Sequence, residues 1–170
     1  MLDGRNTEVL EQLRQLCRER ACYTAITRPD QLSVSRQDIT GSTFSYGPWR
    51  DLRLTLAGSY QPGNAALALE TVEVLRAQGW SVSDDAVRAG LAAVRWPGRF
   101  ELLCQDPIFL LDGAHNPDGV RAAVESLSAC FPGQKLRLLV GFLADKDIPG
   151  MVAQLAPLAQ ELLVITPPSP

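Results

Sequence analysis

The apolar positions of the chain follow a helical spacing first and a strand spacing afterwards. Residues 7–21 have apolar side chains on one helical face, with acidic residues near the start and arginines near the end. This arrangement predicts an amphipathic helix whose charges suit its dipole. From Cys22 to Leu56 the period falls to two, and Gly47-Pro48 separates two alternating runs. These runs predict an antiparallel hairpin with one polar face.

Two more helices are predicted before the middle of the chain. Asn64–Gln78 is rich in alanine and leucine and is followed by a glycine, which is typical of a helix end. Gln61 and Asn64 are expected to be capping groups at its start. Ser83, followed by two aspartates, is the expected N-cap of a shorter helix that runs to about Val94.

Pro97-Gly98, within RWPGRF, marks a predicted boundary between two lobes, because this dipeptide continues neither neighbouring element. Beyond it, apolar runs and helical patterns alternate. The predicted elements are a strand at 108–111, a helix at 117–130, a strand at 136–140, a helix at 148–158 and a strand at 162–165. This order predicts an α/β lobe with buried strands in a parallel sheet covered by helices. Three strands make a thin sheet, so this lobe is expected to be incomplete.

Composition narrows the function classes. The 170 residues are 46% apolar and 21% charged, as in globular proteins, and the net charge is −3 without a basic stripe. We therefore expect no nucleic-acid or membrane partner. The N-terminus lacks the layout of a secretory signal. Four cysteines without CxxC spacing and a single histidine disfavour structural zinc and disulfides, so buried, inert thiols and a cytoplasmic location are expected.

Candidate chemistry lies where predicted strands end. The first strand of the second lobe leads into LDGAHNPDG, in which Asp112 follows the strand and His115 is three residues further on. Ligands of open parallel sheets bind at such ends, so both side chains could face one ligand. The alternative is that Asp112 and Asn116 stabilise the turn while His115 is a solvated loop residue. Asn116-Pro117 suits the N-cap and first turn of a helix.

Two cationic side chains could either bind an anion or lie on the surface without a function. Lys146, in GFLADKD, could bind a carboxylate or phosphate, or could belong to a solvated charge cluster that caps the next helix. Arg99 could bind an anion held between the lobes, or could be a surface arginine without a partner. No GxxxxGK[ST], GxSxG or GxGxxG motif occurs. The residues alone thus predict a cytosolic α/β chain with one ligand-binding loop.

Several strings together resemble the folylpolyglutamate synthase and dihydrofolate synthase family, which is related to the Mur ligases. They are LAGSYQPGNAALAL, GLAAVRWPGRFELL, LLDGAHNPDGVRA and GFLADKD, and they occur in the family's order. The resemblance implies the end of an ATPase domain over residues 1–97, with helices and a small antiparallel sheet. The first half of a Rossmann-like parallel-sheet domain is implied over residues 98–170.

The implied activity is an ATP-dependent amide ligase that adds L-glutamate to folate or dihydropteroate through an acyl phosphate. ATP and Mg²⁺ are the implied cofactors, and the parent enzyme is expected to be a monomer. The phosphate loop and magnesium ligands of the family are expected upstream of this chain, and the last strands downstream, so the isolated chain is expected to be inactive. The alternatives are a Mur-type peptide ligase and a non-catalytic nucleotide- or glutamate-binding fragment.

The resemblance also implies roles for individual residues. Tyr60 departs from the family, which usually has histidine before Gln61, so the role of that imidazole is in question here. The implied roles are phosphate contact for Arg99, nucleotide contact for Asp112, base contact for Asn64, the glutamate and activated-carboxylate site for His115, and substrate-carboxylate contact for Lys146.

Overall fold

A computed structural model describes residues 7–167, which form two compact units. The first unit comprises the described residues up to 37, with 41–56 and 60–95, and the second comprises 38–40, 57–59 and the residues from 96 onward. The helices are α1 (Thr7–Glu19), α2 (Gln61–Ala77), α3 (Asp84–Ala93), α4 (Pro117–Cys130) and α5 (Ile148–Leu155). The strands are β1 (Leu32–Asp38), β2 (Gly41–Tyr46), β3 (Trp49–Leu54), β4 (Glu101–Gln105), β5 (Ile108–Leu111), β6 (Leu136–Val140) and β7 (Ala159–Val164).

The first unit is built on a three-stranded sheet in the order β1-β2-β3. The predicted hairpin is confirmed: β2 and β3 are antiparallel, with Phe44 opposite Leu52, and Gly47 in the turn has a φ of +53°. One face of the sheet packs against α2 and α3. The buried apolar residues of this core are Phe44, Tyr46, Trp49, Leu52, Leu54, Ala65, Ala66, Leu69 and Val87.

The buried Tyr46 hydroxyl connects the sheet to α2. It donates a 2.6 Å hydrogen bond to Glu70 and accepts one of 2.9 Å from the backbone N–H of Arg28. The Arg28 guanidinium lies 3.7 Å from the same carboxylate. Burial, followed by the bond to Glu70, raises the pKa of Tyr46 above its ordinary value of 10.0. The tyrosine therefore stays protonated and holds both partners in the neutral pH range.

The N-cap residue of α3 agrees with the prediction from the sequence, and that of α2 differs from it. Ser83 caps α3 as predicted, accepting a hydrogen bond from the Ala86 N–H. The prediction that Gln61 and Asn64 cap α2 is wrong, because the helix begins at Gln61 and the N-cap residue is Tyr60, which makes no side-chain cap bond. Gln61 and Asn64 lie in the first turn and bond to each other instead, at 3.2 Å.

The second unit contains two small sheets. The predicted parallel pairing is confirmed for β6 and β7, in which Leu138 lies opposite Leu162. The prediction that Ile108–Leu111 is a buried strand of this parallel sheet is wrong. As β5 it pairs antiparallel with β4, across the short Asp106-Pro107 turn, and Phe109 is 51% exposed. Pairing with the sequence-adjacent β4 closes only a short loop, which favours the hairpin.

Helices α4 and α5 pack together over the second unit's core. The fully buried Met151 and the nearly buried Val120 and Leu155 form its centre, and partly buried residues of β6 surround them. The predicted helix 148–158 divides into α5 and a short 3₁₀ turn at Ala156–Leu158. Segment 57–59 joins this unit through Ser59, whose N–H donates a 2.8 Å bond to the buried Ser126 hydroxyl.

Two further sequence expectations concern thiols and membranes. All four cysteines have free thiols, but the prediction that they are buried is wrong: Cys22 and Cys104 are exposed, and Cys17 and Cys130 are partly exposed. Cys104 lies in β4, and Cys22 lies in the segment between α1 and β1. Among residues 7–167, no helix has the length and apolar character that crossing a membrane requires.

Candidate functional site

The junction turn, residues 98–101, connects α3 and β4 and presents Arg99 to solvent. Gly98 and Phe100 on either side of Arg99 both have positive φ, +71° and +47°. The Phe100 side chain is only 2% exposed and anchors the turn in the second unit, whereas Arg99 is exposed. Within the described part of the chain, the Arg99 guanidinium has neither an ion pair nor a hydrogen bond. This cation is therefore available to an anionic ligand.

The strand-end loop, residues 112–116, follows β5 and is bonded to the junction turn. Asp112 accepts two backbone hydrogen bonds of 2.8 Å, from Phe100 N–H at Oδ2 and from Ala114 N–H at Oδ1. The Gly113 N–H donates to the Gly98 carbonyl at 2.7 Å. A Cβ on Gly113 would come within 3.1 Å of that carbonyl, so glycine permits the close approach. Segments distant in sequence thus form one local structure.

His115 is exposed at the tip of the strand-end loop. Its Nδ1 lies 2.8 Å from the Gly113 carbonyl oxygen. A carbonyl is only an acceptor, so Nδ1 must bear the hydrogen, and the neutral ring then has its lone pair on Nε2. The loop therefore fixes the tautomer and directs the basic nitrogen away from the backbone. Nε2 is the atom at which this side chain can accept a proton.

The loop leads directly into α4, as the sequence predicts. Asn116 is the N-cap and accepts a 2.7 Å hydrogen bond from the Gly119 N–H, and Pro117 is the first helical residue. The turn-stabilising interpretation therefore applies to Asn116 and to Asp112, while His115 extends away from the turn with an unoccupied nitrogen. The contacts of Asp112 and Asn116 and the exposure of His115 are those of the turn-stabilising alternative, and a ligand shared by Asp112 and His115 stays a prediction.

Lys146 lies in a second loop, residues 141–147, which follows β6. Its ammonium contacts Asp145 at 2.7 Å and, through this hydrogen bond, lowers the pKa of that carboxyl below its ordinary value. Asp147 is the N-cap of α5 and accepts a hydrogen bond from Gly150. The predicted charge cluster at a helix start is therefore present. Lys146 is only partly exposed and is, after Arg99, the second cation of this region.

The two loops lie against the same hydrophobic cluster of the second unit. Ala114 of the strand-end loop and Phe142 of the second loop both pack on the Val120–Met151 core. The parallel pairing continues past β6, since Ile165 N–H bonds to the Val140 carbonyl at 2.9 Å. The carboxyl ends of β6 and β7 therefore meet beside these loops, which is where open parallel sheets bind ligands.

The structure thus groups four of the five sequence-predicted site residues in the second unit. Arg99, Asp112 and His115 belong to two hydrogen-bonded segments, and Lys146 lies on the neighbouring loop. Asn64 belongs to the first unit, where its amide donates to the Gln61 side chain. Among the residues described, no three acidic, histidine or cysteine side chains form a metal-binding group.

Glu101 is a residue of this region that the sequence did not single out. Its carboxylate accepts a 2.7 Å hydrogen bond from the Gly98 N–H and so closes the junction turn. A glutamate that begins a strand gives no local signal of such a role. Only its place in the WPGRFE string points to it.

The candidate site is suited to anion binding and proton transfer. It contains one unpartnered guanidinium, one ammonium beside a carboxylate and one imidazole with a defined acceptor nitrogen. A guanidinium binds phosphate oxygens through a planar fork of N–H groups, which an ammonium lacks. Of Arg99 and Lys146, Arg99 therefore has the side chain that suits a phosphate group better.

Comparisons with known proteins identify what this chain is similar to. Residues 98–170 match the family model described as "Mur ligase, glutamate ligase domain". The chain is 38% identical to the folylpolyglutamate synthase of Lacticaseibacillus casei over 136 residues, 76% of this chain and 32% of that protein. It is 39% identical over 126 residues to a dihydrofolate synthase/folylpolyglutamate synthase of Mycobacterium tuberculosis, 73% of this chain and 26% of that protein.

Solved structures match nearly the whole chain. A Mycobacterium tuberculosis folylpolyglutamate synthase complexed with ADP matches with a TM-score of 0.80 and 32% identity, over 99% of this chain and 39% of that one. An FPGS–AMPPCP–folate complex matches with a TM-score of 0.83 and 26% identity, over 98% of this chain and 42% of that one. The chain spans about two fifths of these structures. The chain is thus similar to folylpolyglutamate and dihydrofolate synthases, and its residues 98–170 match the glutamate ligase domain of the Mur ligases.

Proposed function

We propose that this chain is part of an ATP-dependent ligase that joins L-glutamate to folate or dihydropteroate. The observation that supports this most directly is the unpartnered Arg99 beside a strand-end loop with His115, in a chain whose relatives are folate–glutamate ligases. In such a reaction ATP supplies a phosphoryl group that converts the acceptor carboxylate into an acyl phosphate. The glutamate amine then attacks the acyl carbon, and phosphate leaves as the amide forms.

Each proposed residue has a role that its surroundings support. Arg99 contacts the nucleotide phosphates and neutralises their charge, since nothing within the described chain competes for its guanidinium. His115 contacts the glutamate and the activated carboxylate in this proposal, and its Nε2 takes the proton that the attacking ammonium loses, a role that the Nδ1 contact to the Gly113 carbonyl supports. Lys146 exchanges its ion pair with the exposed Asp145 for a contact to a substrate carboxylate.

Asp112 and Asn64 are proposed to line the nucleotide site. Both oxygens of Asp112 accept backbone N–H groups, and its proposed contact is to the nucleotide. Asn64 is proposed to contact the base from the first turn of α2. These two assignments rest on the family resemblance.

The proposed domain organisation assigns residues 1–97 to the end of an ATPase domain and residues 98–170 to the first half of a glutamate ligase domain. The phosphate loop and the Mg²⁺ ligands are proposed to lie in the rest of the ligase, which acts as a monomer in the cytoplasm. We therefore expect the 170-residue chain alone to hydrolyse no ATP above background.

The test is an assay of a full-length ligase that contains this sequence. It should release ADP only when glutamate and an acceptor, dihydropteroate or tetrahydrofolate, are both present. Omission of either substrate is the control. Absence of glutamate-dependent ADP release would refute the proposal, and folate-dependent turnover by the isolated 170 residues would refute the assignment of the phosphate loop elsewhere.

The same full-length protein distinguishes two alternative functions. The match of residues 98–170 to the Mur ligase domain favours a Mur-type peptide ligase as one of them, and turnover of a nucleotide-linked acid in place of a folate would identify it. A non-catalytic module would bind ADP or glutamate in calorimetry and turn over neither acceptor class.

A further inference from the structure

The backbone on each side of Arg99 is bonded to a different carboxylate. The Gly98 N–H donates to Glu101 Oε2 at 2.7 Å, and the Phe100 N–H donates to Asp112 Oδ2 at 2.8 Å. Neither carboxylate pairs with the Arg99 guanidinium. Two acidic groups therefore hold the residues on either side of a cation while the cation itself stays available.

This arrangement needs support because its backbone conformation is uncommon. Phe100 has a φ of +47°, a region that a residue with a Cβ adopts only at a cost in free energy. Such conformations persist where surrounding interactions fix them, and they concentrate at functional sites. Here the interactions are burial of the Phe100 ring, the bond to Asp112, and the Gly113 N–H bond to the Gly98 carbonyl.

The carboxylates of Glu101 and Asp112 are strong hydrogen-bond acceptors for backbone N–H groups. A charged acceptor makes a stronger bond to an N–H than a neutral one, and Asp112 makes two such bonds, one to each segment. Its second bond, to Ala114, fixes the residue next to His115. Asp112 therefore couples the position of Arg99 to the loop that presents the histidine.

We propose that Glu101 and Asp112 are positioning residues that orient Arg99 toward its anionic ligand through the backbone of Gly98 and Phe100. This inference rests on the proposed function, because the ligand of Arg99 is taken to be the ATP phosphates. It adds Glu101 to the functional residues, and it gives Asp112 a role that does not require contact with the nucleotide.

A double-mutant cycle in the full-length ligase tests the proposal. Glu101→Ala should raise the KM for ATP about tenfold and leave the KM for glutamate unchanged, since the lost bond acts on the phosphate contact. Glu101→Gln keeps an acceptor oxygen and should stay within about twofold. Asp112→Asn retains only one acceptor oxygen and should raise the KM for ATP by a factor between those of the two Glu101 variants.

The decisive comparison is the same substitutions in an Arg99→Ala background. Glu101→Ala should then change the KM for ATP by no more than about twofold, and Asp112→Asn should cost less than it does beside an intact Arg99. Equal losses for each substitution in both backgrounds would overturn the proposal. Glu161→Gln, which removes an exposed carboxylate paired with Arg137 on β6, is the charge control and should change neither KM.

A second measurement is independent of catalysis. In the 170-residue chain, amide hydrogen exchange of Gly98 should accelerate at least about tenfold in Glu101→Ala, and that of Phe100 in Asp112→Ala, because each amide loses its acceptor. Unchanged exchange would overturn the proposal. An inactive full-length protein with these exchange effects would instead refute the proposed function and leave the positioning role standing.

Discussion

Replacing Arg99 by alanine should impair ATP use by a full-length ligase without destabilising the fold. Its guanidinium has no partner in the described chain, so its removal should change the free energy of unfolding by less than about 0.5 kcal/mol. A hydrogen bond to a charged group contributes about 1.5–3 kcal/mol. One lost contact to phosphate should therefore reduce kcat/KM for ATP roughly ten- to hundred-fold.

The assay is ADP release at varied ATP with saturating glutamate and acceptor, together with calorimetric titration of ADP. Arg99→Lys should recover part of the loss, because lysine keeps the positive charge and loses the planar fork. Arg137→Ala is the matched control: this arginine is exposed, lies near the start of β6 and pairs with Glu161 at 3.3 Å. Its kinetics should stay within about twofold.

Two results would refute this reasoning. Unchanged kinetics in Arg99→Ala would show that the arginine contacts no phosphate. A large loss of stability in the same variant would show that the guanidinium has a structural role.

Three further predictions concern stability and are measured by urea unfolding of the chain. Tyr46→Phe should cost about 1–2 kcal/mol because the Glu70 carboxylate and the Arg28 N–H lose their partner. Since the folded-state pKa of Tyr46 is raised, the wild type should lose this contribution as pH rises above about 10, whereas Tyr46→Phe should lack that loss. Gly141→Ala should cost about 1–3 kcal/mol, because its Cβ would lie 3.0 Å from the Ile165 carbonyl oxygen. Asn116→Ala should cost about 1 kcal/mol by removing the cap of α4, and Asn116→Asp should retain stability.

Each of these has a distinguishing outcome. Equal alkaline sensitivity of Tyr46→Phe and the wild type would assign the titration to another group. A neutral Gly141→Ala would mean that β7 moves freely away from β6. A loss in Asn116→Asp equal to that in Asn116→Ala would show that the cap bond contributes nothing.

Local signals were sufficient wherever an element is determined by its own residues. Helix α4 was predicted at its observed bounds because Asn116 and Pro117 mark its start. Strand β4 was missed, since ELLCQ has no clear alternation, and its existence depends on pairing with β5. Tertiary pairing likewise explains why β5 was expected in the wrong sheet.

The sequence predicts the residues of the candidate site but not the hydrogen bonds that connect them. The strand-end position of Asp112 and His115 was apparent from the sequence. The hydrogen bonds that join Asp112 to Phe100 and Gly113 to Gly98 connect residues 12 and 15 positions apart, which no local pattern encodes. For this reason the sequence does not single out Glu101, and it leaves open whether Asp112 binds a ligand or stabilises the turn.

Because His115 is the one histidine in the sequence and is exposed on the strand-end loop, its ring is a built-in spectroscopic reporter. Every imidazole signal in an NMR spectrum of this chain arises from that loop. The two ring nitrogens have distinct chemical shifts, so adding glutamate or a nucleotide would show directly whether Nε2 gains a proton or a neighbour. Uniform ¹⁵N labelling is sufficient to observe it, without a tag or a substitution.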